Sequence, residues 1–349
     1  MKKQPLTGIT ISDAEKRGEG ALTIGKYSKP GSFHLNINDM QPATDEQKTQ
    51  RVVLRESTTY WQDAARRFAK NKVAVASLCM IILITLFAFV GPMLSPYTYD
   101  DQTRGHERMG PCLAHPFGTD NLGRDMLVRT MVGTQISLEI GLFCALIVVV
   151  IGTIVGAVSG YLGGWTDMVI MRFCEILYSV PDILVIIILQ ISLKSRLDAL
   201  LPNLAMGTAM VSIFITFAML YWVNMARMVR GQVLQLKQQE YVLAAKALGA
   251  SNARIVRVHL IPNAIGTILV TAMFQIPSAI FTESFLSFIG LGVAAPMASL
   301  GSLASKALDG LASYPYLMLF PAGLIALIIL SFNQFGDGLR DALDPRMRG

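Results

Sequence analysis

The sequence predicts an all-α integral membrane protein with six transmembrane helices and both termini in the cytoplasm. Composition is the first observation: the 349 residues are 52% hydrophobic and only 15% charged, against roughly 25% charged in soluble domains. The second is the distribution of charge, since residues 1–70 hold many Lys, Arg, Asp and Glu and several later stretches hold almost none. The third is length. Six apolar stretches, 73–94, 137–162, 168–192, 204–226, 264–289 and 316–335, each reach the roughly 20 residues needed to cross a bilayer core about 30 Å thick.

Residues 1–55 are polar, carry scattered Gly, Pro, Ser and Thr, and show little periodicity. They are expected to be a disordered cytoplasmic extension. Residues 56–72 read as an amphipathic lead-in helix, with Trp61, Phe68 and basic neighbours suited to a membrane surface. The transmembrane domain then runs over 73–349. Because the first apolar run begins only at Val73, it is expected to be a retained anchor and not a cleaved signal.

Orientation follows from Lys and Arg near the span ends. Arg66, Arg67, Lys70 and Lys72 precede the first span, and Arg340, Arg346 and Arg348 follow the last. Arg227, Arg230, Lys237, Lys246, Arg254 and Arg257 mark the loop between the fourth and fifth. Six spans put all three groups on one side, the cytoplasmic one. In the outer loop Arg104, Arg108, Arg124 and Arg129 are interleaved with Asp100, Asp101, Glu107, Asp120 and Asp125. The net charge of +6 is therefore a topological signal with a secondary affinity for anionic lipid headgroups. Nucleic acid is not an expected partner, because the basic residues flank spans and lack interleaved aromatics. Cys79, Cys144 and Cys174 lie in apolar runs and Cys112 alone in the outer loop, so no disulfide framework is expected.

The outer loop continues as HPFGTDNLGRDMLVRTMVGTQ. Thr119 or Asp120 is placed to cap a short helix carrying Leu122, Met126 and Arg129 on one face. It is expected to be a surface helix on the outer ends of the spans, or else a gate or docking face for an outside partner. Gly152, Gly156 and Gly160 recur every fourth residue of the second span and bring one face close to a neighbouring helix, inside the subunit or at a subunit seam. The third span holds Arg172, Glu175 and Asp182 in apolar surroundings. Glu175 and Asp182, seven residues apart, are expected on one helix face, with Arg172 paired to Glu175 one turn away. Pro181 should bend the helix beside Asp182. Glu283, a turn and a half after Pro277 in the fifth span, poses the same choice between a structural polar cluster and a contact with cargo.

The loop 230–262 contains EYVLAAKALGASNARIVRVHLIPN, Glu240 to Asn263. Tyr241, Ala244, Ala245 and Leu248 stand at i, i+3, i+4 and i+7 and give one small apolar face. Gly249 falls where a left-handed cap ends that helix, with Ala250 after it. Ser251 caps a second helix, Asn252 to about Ile261, and Pro262 marks its junction with the next span. Arg254 and Arg257 hold the pair in the cytoplasm. A rigid helix pair between two spans passes the motion of a docked partner to both of them, so it makes sense only if that partner does the driving. The chain itself has no GxxxxGK[ST] phosphate loop. Its histidines, His34, His106, His115 and His259, have no paired metal spacing; His106, Cys112 and His115 are near enough in sequence to ligate a metal but read as ordinary loop residues. No catalytic residues and no metal site are expected.

At these residues a resemblance enters. The stretch resembles the cytoplasmic loop motif of ABC importer permeases, in which Glu-Ala-Ala is followed by three residues, Gly, nine residues, and Ile-x-Leu-Pro. Ala244, Ala245, Gly249 and Pro262 match that register, while Leu243, His259 and Ile261 stand in place of Glu, Ile and Leu. Glu240, displaced from the motif position, is similar to the form seen in the peptide and nickel branch. HPFGTDNLGRDMLVRTMVGTQISL, GYLGGWTDMVIMR, ESFLSFIGLGV and FGDGLRDALDPR resemble further segments of the C-type subunit of that branch, so the likeness runs from about residue 60 to the end.

The resemblance implies a type I importer fold in a prokaryotic plasma (inner) membrane. It implies pairing with a related B-type permease, one or two kinds of cytoplasmic ABC ATPase, and an extracytoplasmic substrate-binding protein. The coupling residues would be Glu240, Tyr241, Ala244, Ala245, Leu248, Gly249, Ala250, Ser251 and Arg254. This chain would bind no cofactor, ATP and Mg being held by the ATPases. Di- and oligopeptides lead as cargo, with nickel or another small solute as the alternative. An ATP-independent secondary transporter is the rival of a different class, weakened because the prolines at 181, 277 and 321 come without a repeat of halves; a membrane scaffold is a second rival.

Overall fold

Cap chemistry and chain breaks set the helix boundaries. The computed structural model describes residues 10–11, 22–23, 59–201, 207–293 and 297–344. The extension expected to be disordered, 1–55, lies outside the described residues apart from a two-residue antiparallel pairing of Thr10–Ile11 with Leu22–Thr23. It belongs to a unit Met1–Thr59, and Tyr60–Gly349 forms the other. Among the described residues of the second unit, every regular element is helical.

Helix α1, Tyr60–Lys70, is amphipathic and buries Ala64 while Trp61 remains 52% exposed. Helix α2, Lys72–Phe89, is capped by Asn71, whose side-chain oxygen accepts from the Val73 and Ala74 amides at 3.1 and 3.2 Å. A single turn, α3, Gly91–Leu94, follows. Helix α4, Met126–Leu162, runs for 37 residues. At 1.5 Å per residue it is about 55 Å long, well beyond a bilayer core.

This corrects the reading of the outer loop. There is no separate surface helix capped by Thr119 or Asp120, because both side chains are committed elsewhere. Thr119 Oγ1 accepts from the Met109 amide at 2.8 Å and donates to the His106 carbonyl. The Asp120 carboxylate accepts from the Leu122 and Arg124 amides at 2.9 and 3.0 Å and from Arg124 Nε at 2.7 Å. Gly123, at φ +71°, turns the chain out of helix. The cap is Asp125: its Oδ1 accepts from the Val128 amide at 2.8 Å and its Oδ2 meets His115 Nδ1 at 2.7 Å. Arg129 therefore lies inside the span helix, 1% exposed, with Nη1 donating to the Tyr99 carbonyl at 2.8 Å.

The third span differs more. It is two helices, α5, Gly164–Ser179, and α6, Asp182–Leu200, meeting at 89° across Val180–Pro181. Helices α7, Thr208–Leu220, and α8, Trp222–Leu236, make one further crossing. After the short α9, Glu240–Ala247, helical backbone runs from α10, Asn252–Arg254, through a π-helical stretch, Ile255–Leu260, into α11, Ile261–Phe288. Helix α12, Leu300–Ala307, and the last span, α13, Tyr316–Leu343, complete the bundle.

Helix α11 occupies the centre, against α4, α8, α12 and α13. The glycine stripe of α4 faces α8 inside this chain. A Cβ on Gly152 would meet Met225 at 2.5 Å, and one on Gly160 would meet the Arg230 carbonyl at 2.9 Å. On the opposite face Leu142, Leu146, Val150, Ile154 and Val158 are exposed, a stripe suited to lipid tails. The first and last described helices meet: the Tyr60 hydroxyl donates to the Leu343 carbonyl at 3.2 Å, and Phe68 packs edge-on against Phe335. Both ends of this unit thus share one side of the bundle, which requires an even number of crossings. Among the described residues five helices are long and apolar enough to span alone, and the bent pair α5–α6 is the candidate for a sixth crossing.

Candidate coupling surface and membrane-depth polar sites

The α9 corner projects from the bundle on one anchor. Its cap is Gln239, at extended φ and ψ. Val242, 3% exposed, enters the core cluster of Val233, Ile255 and Leu260, and Ala250 packs against the same cluster. The outward residues are left uncovered: Tyr241 is 40% exposed, Leu243 56% and Leu248 89%. Ala244 is exposed and Ala245 half-buried. The residue that holds the helix down is thus Val242, which lies off the expected alanine face. Glu240 in the first turn and Lys246 in the last complement the helix dipole.

The corner itself is tightly specified. Gly249 has φ +84°. Its amide donates to the Lys246 carbonyl and the Ala250 amide to the Ala245 carbonyl, both at 3.0 Å, the paired bonds of a Schellman ending. A Cβ on Gly249 would meet nothing within 4 Å, so glycine is required by backbone angle and not by space. Ser251 Oγ then accepts from the Arg254 amide at 3.4 Å and starts the next helix. That helix does not end at Pro262, as the sequence suggested. The ring of a proline clashes with the carbonyl four residues back, here Val258, which sits in the widened π-helical turn. The distortion absorbs the proline, and α10 becomes the tip of the span.

Polar bonds tie this corner to α4, and α8 to α4 and α5. The Tyr161 hydroxyl donates to Asn252 Oδ1 at 2.8 Å, and Lys237 Nζ donates to the Gly160 carbonyl at 2.8 Å. Arg230 on α8 grips Asp167 on α5 through two bonds of 2.5 and 2.6 Å, and Ser159 Oγ donates to the same carboxylate at 2.5 Å. In the sequence Arg230 marks orientation alone, and nothing there singles out Asp167. Their spacing of 63 residues carries no local signal.

The membrane-depth candidates separate into three environments. Arg172 Nη1 and Glu175 Oε2 are 2.8 Å apart on the exposed face of α5. Asp182 does not share a helix face with Glu175, because the chain breaks between them at Pro181. It opens α6, its Oδ1 accepting from the Ile183 amide at 2.9 Å. Beside the break lies a cavity of about 460 Å³, with Tyr178, Ser179, Asp182, Tyr221 and Asn224 in its wall. Glu283 is wholly buried. Ser137 Oγ and Ser287 Oγ donate to it at 3.1 and 2.7 Å, and Ser284 Oγ lies at 3.4 Å. It ties α11 to α4 and does not face the cavity.

The comparisons with known proteins bear on this arrangement. The description "binding-protein-dependent transport system inner membrane component" matches residues 149–349. The chain belongs to this family. An N-terminal transmembrane domain of oligopeptide transport permease C matches residues 59–116 of the permease. The permease is 45% identical over 311 residues to the oligopeptide transport system permease protein OppC of Bacillus subtilis, covering 89% of this chain and 98% of the relative. It is 43% identical to the dipeptide transport system permease protein DppC of that organism, covering 90% and 95%, and 44% identical to OppC of Escherichia coli, covering 84% and 93%. It is a multi-pass ABC importer permease of a bacterial inner membrane.

Gln190 is a further residue of the permease that the sequence reading passed over. It is fully buried in α6, and its Nε2 donates to the Ala209 and Leu291 carbonyls at 3.2 and 3.0 Å. It holds the far half of the broken span to α7 and to the turn that follows α11. A single glutamine in an apolar run gives no sign of this.

Proposed function

We propose that this permease forms half of the translocation pathway of a di- and oligopeptide importer and is driven through α9 by a separate ATPase. The reading pairs it with a B-type permease, one or two kinds of cytoplasmic ABC ATPase and an extracytoplasmic binding protein. ATP and Mg belong to the ATPases, and this chain holds neither. The observation that carries the coupling role is the uncovered apolar tip: Leu248, Leu243 and Tyr241 stand out on a helix anchored by Val242 and continuous, through Gly249 and Ser251, with a spanning helix. Large exposed apolar residues on a rigid projection mark a partner surface. A push on α9 reaches α11 directly and reaches α5 through α8 and the Arg230–Asp167 pair. Names of relatives such as OppC and DppC support peptide as cargo; nickel is the alternative within the same architecture.

The test uses the complex reconstituted in proteoliposomes with its partner subunits. Gly249→Ala keeps the corner at a cost of about 1 kcal/mol and should retain most peptide uptake. Gly249→Pro cannot adopt a positive φ and should abolish uptake while the permease still inserts. Equal uptake by wild type and Gly249→Pro would overturn the coupling role, and ATP-independent uptake would favour a secondary transporter.

A further inference from the structure

We infer that the cavity at the α5–α6 break is a recognition site for a cationic group, the α-ammonium of a peptide in transit, with Asp182 as its counter-charge. This rests on the peptide reading above and names the chemistry by which the chain itself would meet that cargo.

Irregular backbone at membrane depth survives only where it is buried in protein or lines water. Helix α5 rises about 24 Å over its 16 residues, short of a bilayer core, so the break falls inside the membrane. Val180 at the break is 46% exposed, so in this chain it is not buried in protein. In the permease pair proposed above, a break left open on this side borders the path between the two subunits. The cavity beside it, about 460 Å³, lies within the range of about 300–1,000 Å³ typical of sites for small ligands.

Charge selects the ligand. Asp182 is the one ionisable acid or base in the cavity wall apart from tyrosine. The neighbouring polar groups are already engaged. The Tyr178 hydroxyl donates to Asn224 Oδ1, the Tyr221 hydroxyl bonds Thr282 Oγ1 at 2.7 Å, and Ser179 Oγ donates to the Ile176 carbonyl at 2.7 Å. The cations on this face are also engaged: Arg172 pairs with Glu175, and Arg227 lies over the Tyr178 ring at 4.1 Å. Asp182 uses Oδ1 on its own helix and, among the described residues, meets no cation. A carboxylate at membrane depth without a partner is costly and marks a pathway. Its position in the first turn of α6 explains how the charge is tolerated, but an asparagine oxygen can accept the same Ile183 amide. Asp182→Asn therefore removes charge and preserves backbone.

The experiment is ligand protection of a reporter thiol in the complete complex. Ser179→Cys is placed in a background with the exposed Cys79 and Cys112 changed to serine, and its labelling by a maleimide is timed in detergent. Trialanine should slow labelling about tenfold more than N-acetyl-trialanine does, as loss of one charge-assisted bond implies. Asp182→Asn should erase that difference, and Asp182→Glu should restore part of it. Equal protection by both peptides, or a difference that survives Asp182→Asn, overturns the inference and leaves the peptide reading standing. Protection by Ni²⁺ and by neither peptide overturns the ammonium assignment in favour of a metal cargo. If the same complex also imports neither peptide in proteoliposomes, the peptide reading falls with it.

Discussion

At Gly156 the backbones of α4 and α8 approach so closely that a Cβ would run into the Ala226 carbonyl and meet the Val229 Cβ at 2.9 Å. Without a hydrophobic drive between helices in lipid, such close packing holds the bundle together. Gly156→Leu should destabilise the permease by at least about 2 kcal/mol, read as a lowered midpoint of thermal unfolding in detergent. The four-residue glycine spacing made this face legible in the sequence; which helix it would meet was not, because the partner lies about 70 residues on. Lys306 in α12 gives a different kind of test. Partial burial first, and the nearby Arg129 and Arg124 second, hold its ammonium below the ordinary lysine range, against the pull of Asp120. A lysine with a lowered folded pKa binds fewer protons folded than unfolded, so stability rises with pH between that lowered value and the unfolded one. Lys306→Met should therefore raise the unfolding midpoint at about pH 7, and the gain should shrink as the pH approaches about 10.

Among the elements, α5 and α8 are joined by the Arg230–Asp167 pair, whose side chains are 32% and 17% exposed. Partly sheltered and bidentate, it should show a coupling energy of about 1–3 kcal/mol in a double-mutant cycle of Arg230→Gln and Asp167→Asn. The same two variants should separate ATP hydrolysis from uptake in the reconstituted complex if this pair carries motion from α9 to α5. The corner at Gly249 was legible because its cap chemistry is local: a helical apolar pattern ending at a glycine, with a capping serine two residues later. The π-helical turn and the right-angled break were not. A proline announces a disturbance, but whether the chain absorbs it, as at Pro262, or parts, as at Pro181, is decided by what packs around it. At Pro181 the exposed Val180 and the flanking cavity leave nothing to hold a straight helix together.

For the whole molecule, the contact of Tyr60 with Leu343 fixes parity, and the contact extends to the coupling side. A Cβ on Gly266, near the start of α11, would come within 2.9 Å of the Tyr60 hydroxyl. The described ends and the α9 corner therefore share one side, and the loop with Cys112 takes the other. In sealed vesicles of known orientation, Ser251→Cys should label from one side only and the exposed native Cys112 only from the opposite side. Labelling of both from one side would break the six-crossing arrangement. Hydropathy made the number of apolar runs plain. It could not reveal that one of them is a pair of helices bent by 89°.

The same contact has a consequence in time. Helix α2 packs more extensively on α13 than on any other element, with Ala74 pressed against Gly338. Yet 226 residues separate Phe89 from Tyr316. At translation rates of about 5–20 residues per second, the first helix to enter the bilayer waits roughly 10–45 s for its main neighbour to be made. During that interval its small-residue face, built for close contact with a helix, meets only lipid or whatever holds nascent helices in the membrane. Chains cut short before α13 would keep that face open permanently, which makes α2 the natural place for membrane quality control to recognise an unfinished permease.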